Sequence, residues 1–328
     1  MNASHSVLDQ IDPVSLPKYA MIASHPFLKQ IDHVGIRADD ALRLFQFLTQ
    51  ALGFPAVAPF AEYAGYSSGR VSLGNMALEV IGLGTAARSA LAQSNPAHYQ
   101  LLSFLSLSRP LTRLLPELER RHLRHSGVIP FFTPAPEGQE PIKLWERIYL
   151  GDLLGENVWQ RALFSLMRQA PSTPAGQARL SSRIAHTLLA HTSGRSMLSL
   201  TGYYHNGASL VADGQGMAHH RHGGRSGLEG VSEVVIGVPN LIKSTGDWVQ
   251  LLQPLVPGDD GLWRVGAGPA IRLRTMARHC IATLVLKVAS LEQAQRGLRA
   301  LHAPMQVSFD RVSFSIPGSP GVTFELTE

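Results

Sequence analysis

The sequence predicts an α+β protein built from repeated β-α-β-β-β modules, four of them in two halves. Three observations carry this. An alternating strand, a capped amphipathic helix and three short strands follow one another between Ile31 and Gly82. The same order returns between Ala282 and Thr327. The interval from helix cap to last-strand glutamate is 39 residues in the first copy, Asp40 to Glu79, and 35 in the last, Ser290 to Glu325. An internal repeat explains so near a match.

Residues 1–27 are polar and punctuated by proline, and read as an arm. Ile31-Asp32-His33-Val34-Gly35-Ile36 alternates as a strand does. Asp39 and Asp40 offer an N-cap, Ala41, Leu44, Phe45, Leu48 and Leu52 recur at helical spacing, and Gly53 stops the helix. Strands are expected at 56–60, 69–73 and 76–82. The last module has its strand at 282–288, its cap at Ser290, a helical face of Leu291, Ala294, Leu298 and Leu301, and strands at 305–309, 311–316 and 322–327.

Two weaker copies lie between. One has a strand at 102–107, a helix marked by Leu111, Leu114, Leu115 and Leu118, and strands at 128–133, 144–149 and 162–167. The other has a strand at 231–238, a helix capped by Asn240, and strands near 262–265 and 270–274. The expected halves are 28–170 and 228–328. They are joined at 171–227 by a helical stretch (175–195) and a Gly- and His-rich connector.

Composition bounds the function. With 45% apolar and 16% charged residues, the chain can bury large cores and is not disordered. The formal charge is +5, but Lys and Arg are scattered and form no basic stripe with aromatics, so nucleic acid is not an expected partner. Cys280 is the only cysteine, which excludes an internal disulfide and a thiolate zinc cluster. Its apolar run marks it as a small core residue rather than a nucleophile. Asp9, Asp12 and Pro13 interrupt any signal-like segment, and no run reaches the roughly 18 apolar residues of a membrane span. The cytoplasm is the expected location.

Ile31-Asp32-His33-Val34-Gly35-Ile36, the aspartate-capped helix ending Leu52-Gly53-Phe54, Leu73-Gly74-Asn75 before Leu78-Glu79-Val80, and the terminal Gly321-Val322-Thr323-Phe324-Glu325-Leu326 resemble the vicinal oxygen chelate superfamily. That group contains glyoxalase I, extradiol dioxygenases and bleomycin-resistance proteins. The resemblance covers about 30–83 well and 230–328 fairly. It implies half-open barrels of paired modules, in which first strands offer His or Gln and last strands Glu to one divalent metal.

Carried over position by position, the resemblance makes His33, Glu79 and Glu325 the metal-site residues, with Fe, Mn, Zn or Ni as the cofactor. Elsewhere the chain departs from the pattern. Ser103, Glu233 and Thr283 stand where first-strand histidines are expected, and Arg272 replaces a last-strand glutamate. No half has a full set of two histidines and a carboxylate. His98 is the nearest replacement ligand, though a surface histidine is the blander reading.

The implied function is a metal-dependent enzyme on a small oxygenated molecule, of extradiol-dioxygenase or glyoxalase lyase/isomerase type. A non-catalytic binding protein and a metal-free hydrolase or lyase with a barrel glutamate as base are the alternatives. The expected partner is a small-molecule substrate, with a homodimer left open. His219, His220 and His222 read as a solvated loop, and His186 and His191 are spaced wrongly for a helical zinc pair. Tyr63, Tyr66, Tyr203 and Tyr204 are candidate pocket residues, against a default of amphipathic packing.

Overall fold

The computed structural model describes residues 26–63, 66–83, 100–132, 142–151, 153–155, 161, 164–165, 196–204, 227–316 and 321–328. The expected helix at 175–195 and the histidines at 98, 186, 191, 219, 220 and 222 lie outside these residues.

Each module starts with a strand and a helix that returns the chain beside it. Module one is β1 (Leu28–Arg37), α1 (Ala41–Gln46, continued by a π-helical turn over Phe47–Ala51), β2 (Ala56–Tyr63), β3 (Tyr66–Ser72) and β4 (Ala77–Leu83). Module two is β5 (Gln100–Ser106), a 3-10 turn (Leu111–Leu114) running into α2 (Leu115–Arg120), β6 (Ile129–Phe132), β7 (Lys143–Leu150) and β8 (Ser196–Tyr203). Module three is β9 (Leu228–Val238), α3 (Leu241–Leu252), β10 (Leu262–Arg264) and β11 (Ala270–Thr275). Module four is β12 (Cys280–Val288), α4 (Leu291–Ala300), β13 (Met305–Val307), β14 (Val312–Ser315) and β15 (Thr323–Thr327).

The expected helix caps form. Asp40, Asn240 and Ser290 accept hydrogen bonds from the amides of Arg43, Lys243 and Gln293. Gly53, at a φ of 75°, takes the left-handed turn that ends the first helix.

Consecutive modules share a sheet. The first has the order β2-β3-β4-β1-β5-β8-β7-β6, and the second β10-β11-β9-β12-β15-β14-β13. In every module the last strand lies parallel to the first, and the two modules of a sheet meet through antiparallel first strands, β1 with β5 and β9 with β12. One of the two sheets curls into a half-barrel.

Two expectations change here. Ser196–Tyr203, assigned to the connector by the sequence, is β8 and every residue of it is buried. Its Ser, Thr and Gly content hides a central strand whose small polar side chains bond to β5, Ser196 to Gln100 and both Ser199 and Thr201 to Ser103. Of the expected strand at 162–167 only Phe164 and Ser165 are among the described residues, and they are helical.

One hydrophobic core runs through both halves and gathers Val34, Ile36, Phe104, Trp248, Val234 and Leu284. Phe104 of β5 meets Trp248 of α3 with ring centroids 6.4 Å apart. This core holds one face of each sheet. By strand alternation the opposite face takes His33, Gly35 and Arg37 from β1. Among the described residues no helix is long and apolar enough to cross a membrane.

Candidate functional site

Parallel pairing brings the functional positions together. In each module, a first-strand residue sits two before the partner of a last-strand residue. The pairs are His33 with Glu79, Ser103 with Thr201, Glu233 with Arg272, and Thr283 with Glu325. Three of the pairs touch. His33 Nε2 is 3.2 Å from Glu79 Oε2, the Ser103 and Thr201 hydroxyls are 2.8 Å apart, and Arg272 grips Glu233 with two hydrogen bonds of 2.7 and 3.1 Å.

The first sheet holds the densest cluster. Against β5, the register of β1 slips between Ile31 and His33, leaving Asp32 as a bulged residue. Simple alternation places Asp32 opposite His33. The bulge brings both side chains to one face. Asp32 Oδ2 then lies 2.6 Å from His33 Nδ1 and accepts a hydrogen bond of 2.7 Å from the Tyr203 hydroxyl. An ionised carboxylate only accepts, so Nδ1 carries a proton. His33 is fully buried, and its Nε2 has no hydrogen-bond partner; Glu79 Oε2 is close but off the bonding line.

Glu79 is held from its other side. Ser68 Oγ donates to Oε1 at 2.7 Å and Arg70 Nε is 3.5 Å from the same oxygen. Arg70 also donates to the Tyr203 hydroxyl at 3.2 Å, which closes a ring of polar contacts around the imidazole. Burial by itself would raise both carboxyls. For Glu79 the Arg70 charge and the His33 contact outweigh it and set the group well below the ordinary range. For Asp32 the His33 hydrogen bond and charge outweigh it, with Arg70 and Tyr203 adding, and the carboxyl is lowered. Burial beside Asp32 pushes the Tyr203 phenol up, so it stays protonated and donates.

Module two mirrors module one. Arg70 lies directly across from Glu79 on β3, and Arg147 directly across from Thr201 on β7. His33 and Ser103 face each other where the modules meet. Ser103 also accepts from Ser199 Oγ at 3.1 Å.

Glu325 lies apart from this cluster. Consecutive modules share a sheet, and module four belongs to the second. Glu325 therefore sits on β15 of the second sheet, 3.5 Å from Arg311.

No protein-family model matches the chain, and no curated protein matches it. Solved structures do. A hypothetical protein from Staphylococcus aureus aligns over 90% of this chain and 98% of its own, with a TM-score of 0.50 and 8% identity. The 2,3-dioxygenase LapB from Pseudomonas sp. KL28 aligns over 92% of each chain (TM-score 0.49, 11% identity). The Mn(II)-bound glyoxalase from Novosphingobium aromaticivorans aligns over 92% of this chain and 83% of its own (TM-score 0.48, 12% identity). The strand–helix–strand modules, paired in two sheets with parallel first and last strands, are the arrangement that the sequence resemblance to the vicinal oxygen chelate superfamily implies.

A divalent metal is the group this fold implies, and the donor set here does not fit one. Protein metal sites of this kind use at least three His, Cys or carboxylate ligands. Among the described residues no group of three such side chains converges. His33 Nε2 and Glu79 are two donors. The mirror positions are the Ser103 and Thr201 hydroxyls, which satisfy each other. Arg70 already neutralises Glu79, and Arg147 adds a second buried cation. In the second sheet the carboxylates Glu233 and Glu325 are ion-paired to Arg272 and Arg311. The expected site of His33, Glu79 and Glu325 therefore divides into an adjacent pair and a remote ion-paired glutamate.

Sequence reasoning found His33, Glu79 and Tyr203, and assigned no role to Asp32, Ser68, Arg70, Arg147 or Thr201. One signal for Asp32 was present. Ile31 and Val34 both belong to the core, and two polar residues between core-facing neighbours require a bulge. The others depend on register between strands far apart in sequence. Cys280 is half-buried at the start of β12, where burial pushes its thiol up, away from a nucleophilic thiolate.

Proposed function

We propose that the first sheet carries a metal-free acid–base site, and that the protein is a lyase or isomerase acting on a small oxygenated organic molecule. The observation that carries this is the Asp32–His33 pair. Asp32 fixes the tautomer and stabilises an imidazolium, leaving Nε2 buried and without a hydrogen-bond partner. His33 Nε2 takes a proton from carbon beside a carbonyl. The electron pair moves onto the carbonyl oxygen, and the imidazolium returns the proton to the same carbon or, for an α-hydroxy carbonyl, to the former carbonyl carbon as the hydroxyl proton passes to the neighbouring oxygen. Tyr203 and Arg70 hold Asp32 and Glu79 in place through this exchange. Glu79 is a poor base, because Arg70 and Ser68 stabilise its ionised form. The glutamate-as-base alternative therefore gives way to histidine.

Two measurements test this. Protein purified without chelators is expected to carry far less than one Fe, Mn, Zn or Ni per chain. In D₂O, a carbonyl compound that raises the melting temperature is expected to lose its acidic C–H signals by proton NMR with the native protein and to keep them with His33→Ala. Stoichiometric metal that His33→Ala removes would return the metal-dependent reading, in which His33 and Glu79 are two of the ligands. Binding without exchange would leave a sequestering protein.

A further inference from the structure

We propose that Arg147, with Arg70 as its mirror partner, forms a subsite for the carboxylate of a monoanionic substrate. The subsite rests on the acid–base reading for the choice of molecule, but it is argued from a separate observation. Arg147 is 8% exposed, and among the described residues it forms no ion pair, while its Nε has no hydrogen-bond partner. The aromatic rings of Phe131 and Tyr149 lie 5.8 and 5.9 Å from its guanidinium. A guanidinium cannot shed its proton, so burial leaves a charge that an anion must compensate. Burial would lower its affinity for the proton, but the Tyr149 side chain and the Glu79 charge outweigh it and keep the group cationic.

Arginines beside the other candidate positions have carboxylate partners. Arg70 has Glu79, Arg272 has Glu233 and Arg311 has Glu325. Glu79 has no counterpart at its mirror position, where Thr201 stands directly across from Arg147. The missing carboxylate of module two is the place for the ligand's carboxylate. A cross-strand pair shares one sheet face, so that carboxylate lies on the side that carries His33 and Glu79. The local charges favour a monoanion. Glu79 is paired with Arg70 and Asp32 with His33, so Arg147 offers one positive charge, and a phosphate dianion would bring a second negative charge with no partner into a buried site.

The experiment titrates the full chain with acetate, benzoate and phenylacetate, using benzamide as the neutral isostere and inorganic phosphate as the dianion, and reads melting temperature and calorimetric affinity. Carboxylates are expected to raise the melting temperature of the native protein, and benzamide and phosphate to leave it unchanged. Arg147→Met is expected to weaken carboxylate binding by roughly tenfold to a hundredfold. It should keep or raise the ligand-free melting temperature, because it removes a buried uncompensated charge. Arg147→Lys keeps the charge and loses the planar fork, and should weaken binding by roughly tenfold.

The subsite is overturned if no carboxylate binds, if phosphate or benzamide binds as well as benzoate, or if either variant keeps native affinity. It is also overturned if Arg147→Met melts lower with its carboxylate response intact. The two readings separate cleanly. Carboxylate binding that needs Arg147 without any C–H exchange sinks the acid–base reading and keeps the subsite. Exchange that needs His33 but not Arg147 does the reverse.

Discussion

At the scale of single residues, the site is a histidine between two carboxylates that differ in what else they touch. Asp32 bonds to Nδ1 and to the Tyr203 hydroxyl, whereas Glu79 faces Nε2 off-line and belongs to Arg70 and Ser68. Asp32→Asn can present an amide N–H to Nδ1 and move the ring proton to Nε2. Proton exchange is then expected to fall by about a hundredfold or more with little change in ligand affinity, measured by NMR exchange beside calorimetry. Both carboxyls are held below their unfolded values of about 3.9 and 4.3, so the folded state binds fewer protons than the unfolded one in mild acid. Their stabilisation is complete above those values and is lost as pH falls through the folded ones. The melting temperature should stay level from neutrality to about pH 5 and fall below about pH 4. Glu79→Gln should lower stability at neutral pH by about 3 kcal/mol and flatten the acid decline, as thermal melts across pH would record.

At the scale of elements, caps and one bulge place the chemistry. The helix caps were legible because short polar side chains before an apolar face have one common use. Asn240 accepts from the Lys243 amide at 2.9 Å at the start of α3, and α3 buries Trp248, Leu251 and Leu252. Asn240→Ala is expected to cost about 1 kcal/mol in denaturant unfolding, whereas Asn240→Ser should cost much less. The far end of α3 is held by module two. Arg121 donates to the carbonyls of Gln250, Leu251 and Gln253 at 3.2, 2.9 and 2.8 Å. A cation there meets the negative end of the helix. Burial, with Arg120 nearby, lowers the Arg121 pKa to about 10.

At the scale of the whole molecule, two amide side chains join the sheets. Asn75 bonds to both backbone groups of Val231 at 2.9 and 2.8 Å, and Gln100 bonds to both of Ile281 at 2.9 and 2.6 Å. Gly74 precedes Asn75 at a φ of 90°, and a Cβ there would stand 2.7 Å from the Glu229 carbonyl oxygen. The Leu73-Gly74-Asn75 motif thus serves the junction between halves as well as a turn. Gln100→Ala leaves the Ile281 amide and carbonyl buried without partners. It is expected to destabilise the protein by about 2–4 kcal/mol and to speed hydrogen exchange in β9 and β12 beyond that in β1. Uniform exchange through both sheets would count against the clamp.

The sequence by itself determined the module order, the helix boundaries and His33, Glu79 and Tyr203 as candidates. Those features rest on local periodicity, capping and the His33–Glu79 spacing. Only the tertiary structure decided which strands pair and in what register, and with that the separation of Glu325 from Glu79. It also decided that Ser196–Tyr203 supplies the last strand of module two, that Asp32 turns to the side of His33, and that Arg70 and Arg147 mirror each other across Glu79 and Thr201. The reason is physical. Period-two alternation fixes which residues share a face within one strand, but not the partner strand, its register or the place of a bulge. Those are set by long-range packing of the core, where a slip of one residue would expose the apolar face of a whole strand.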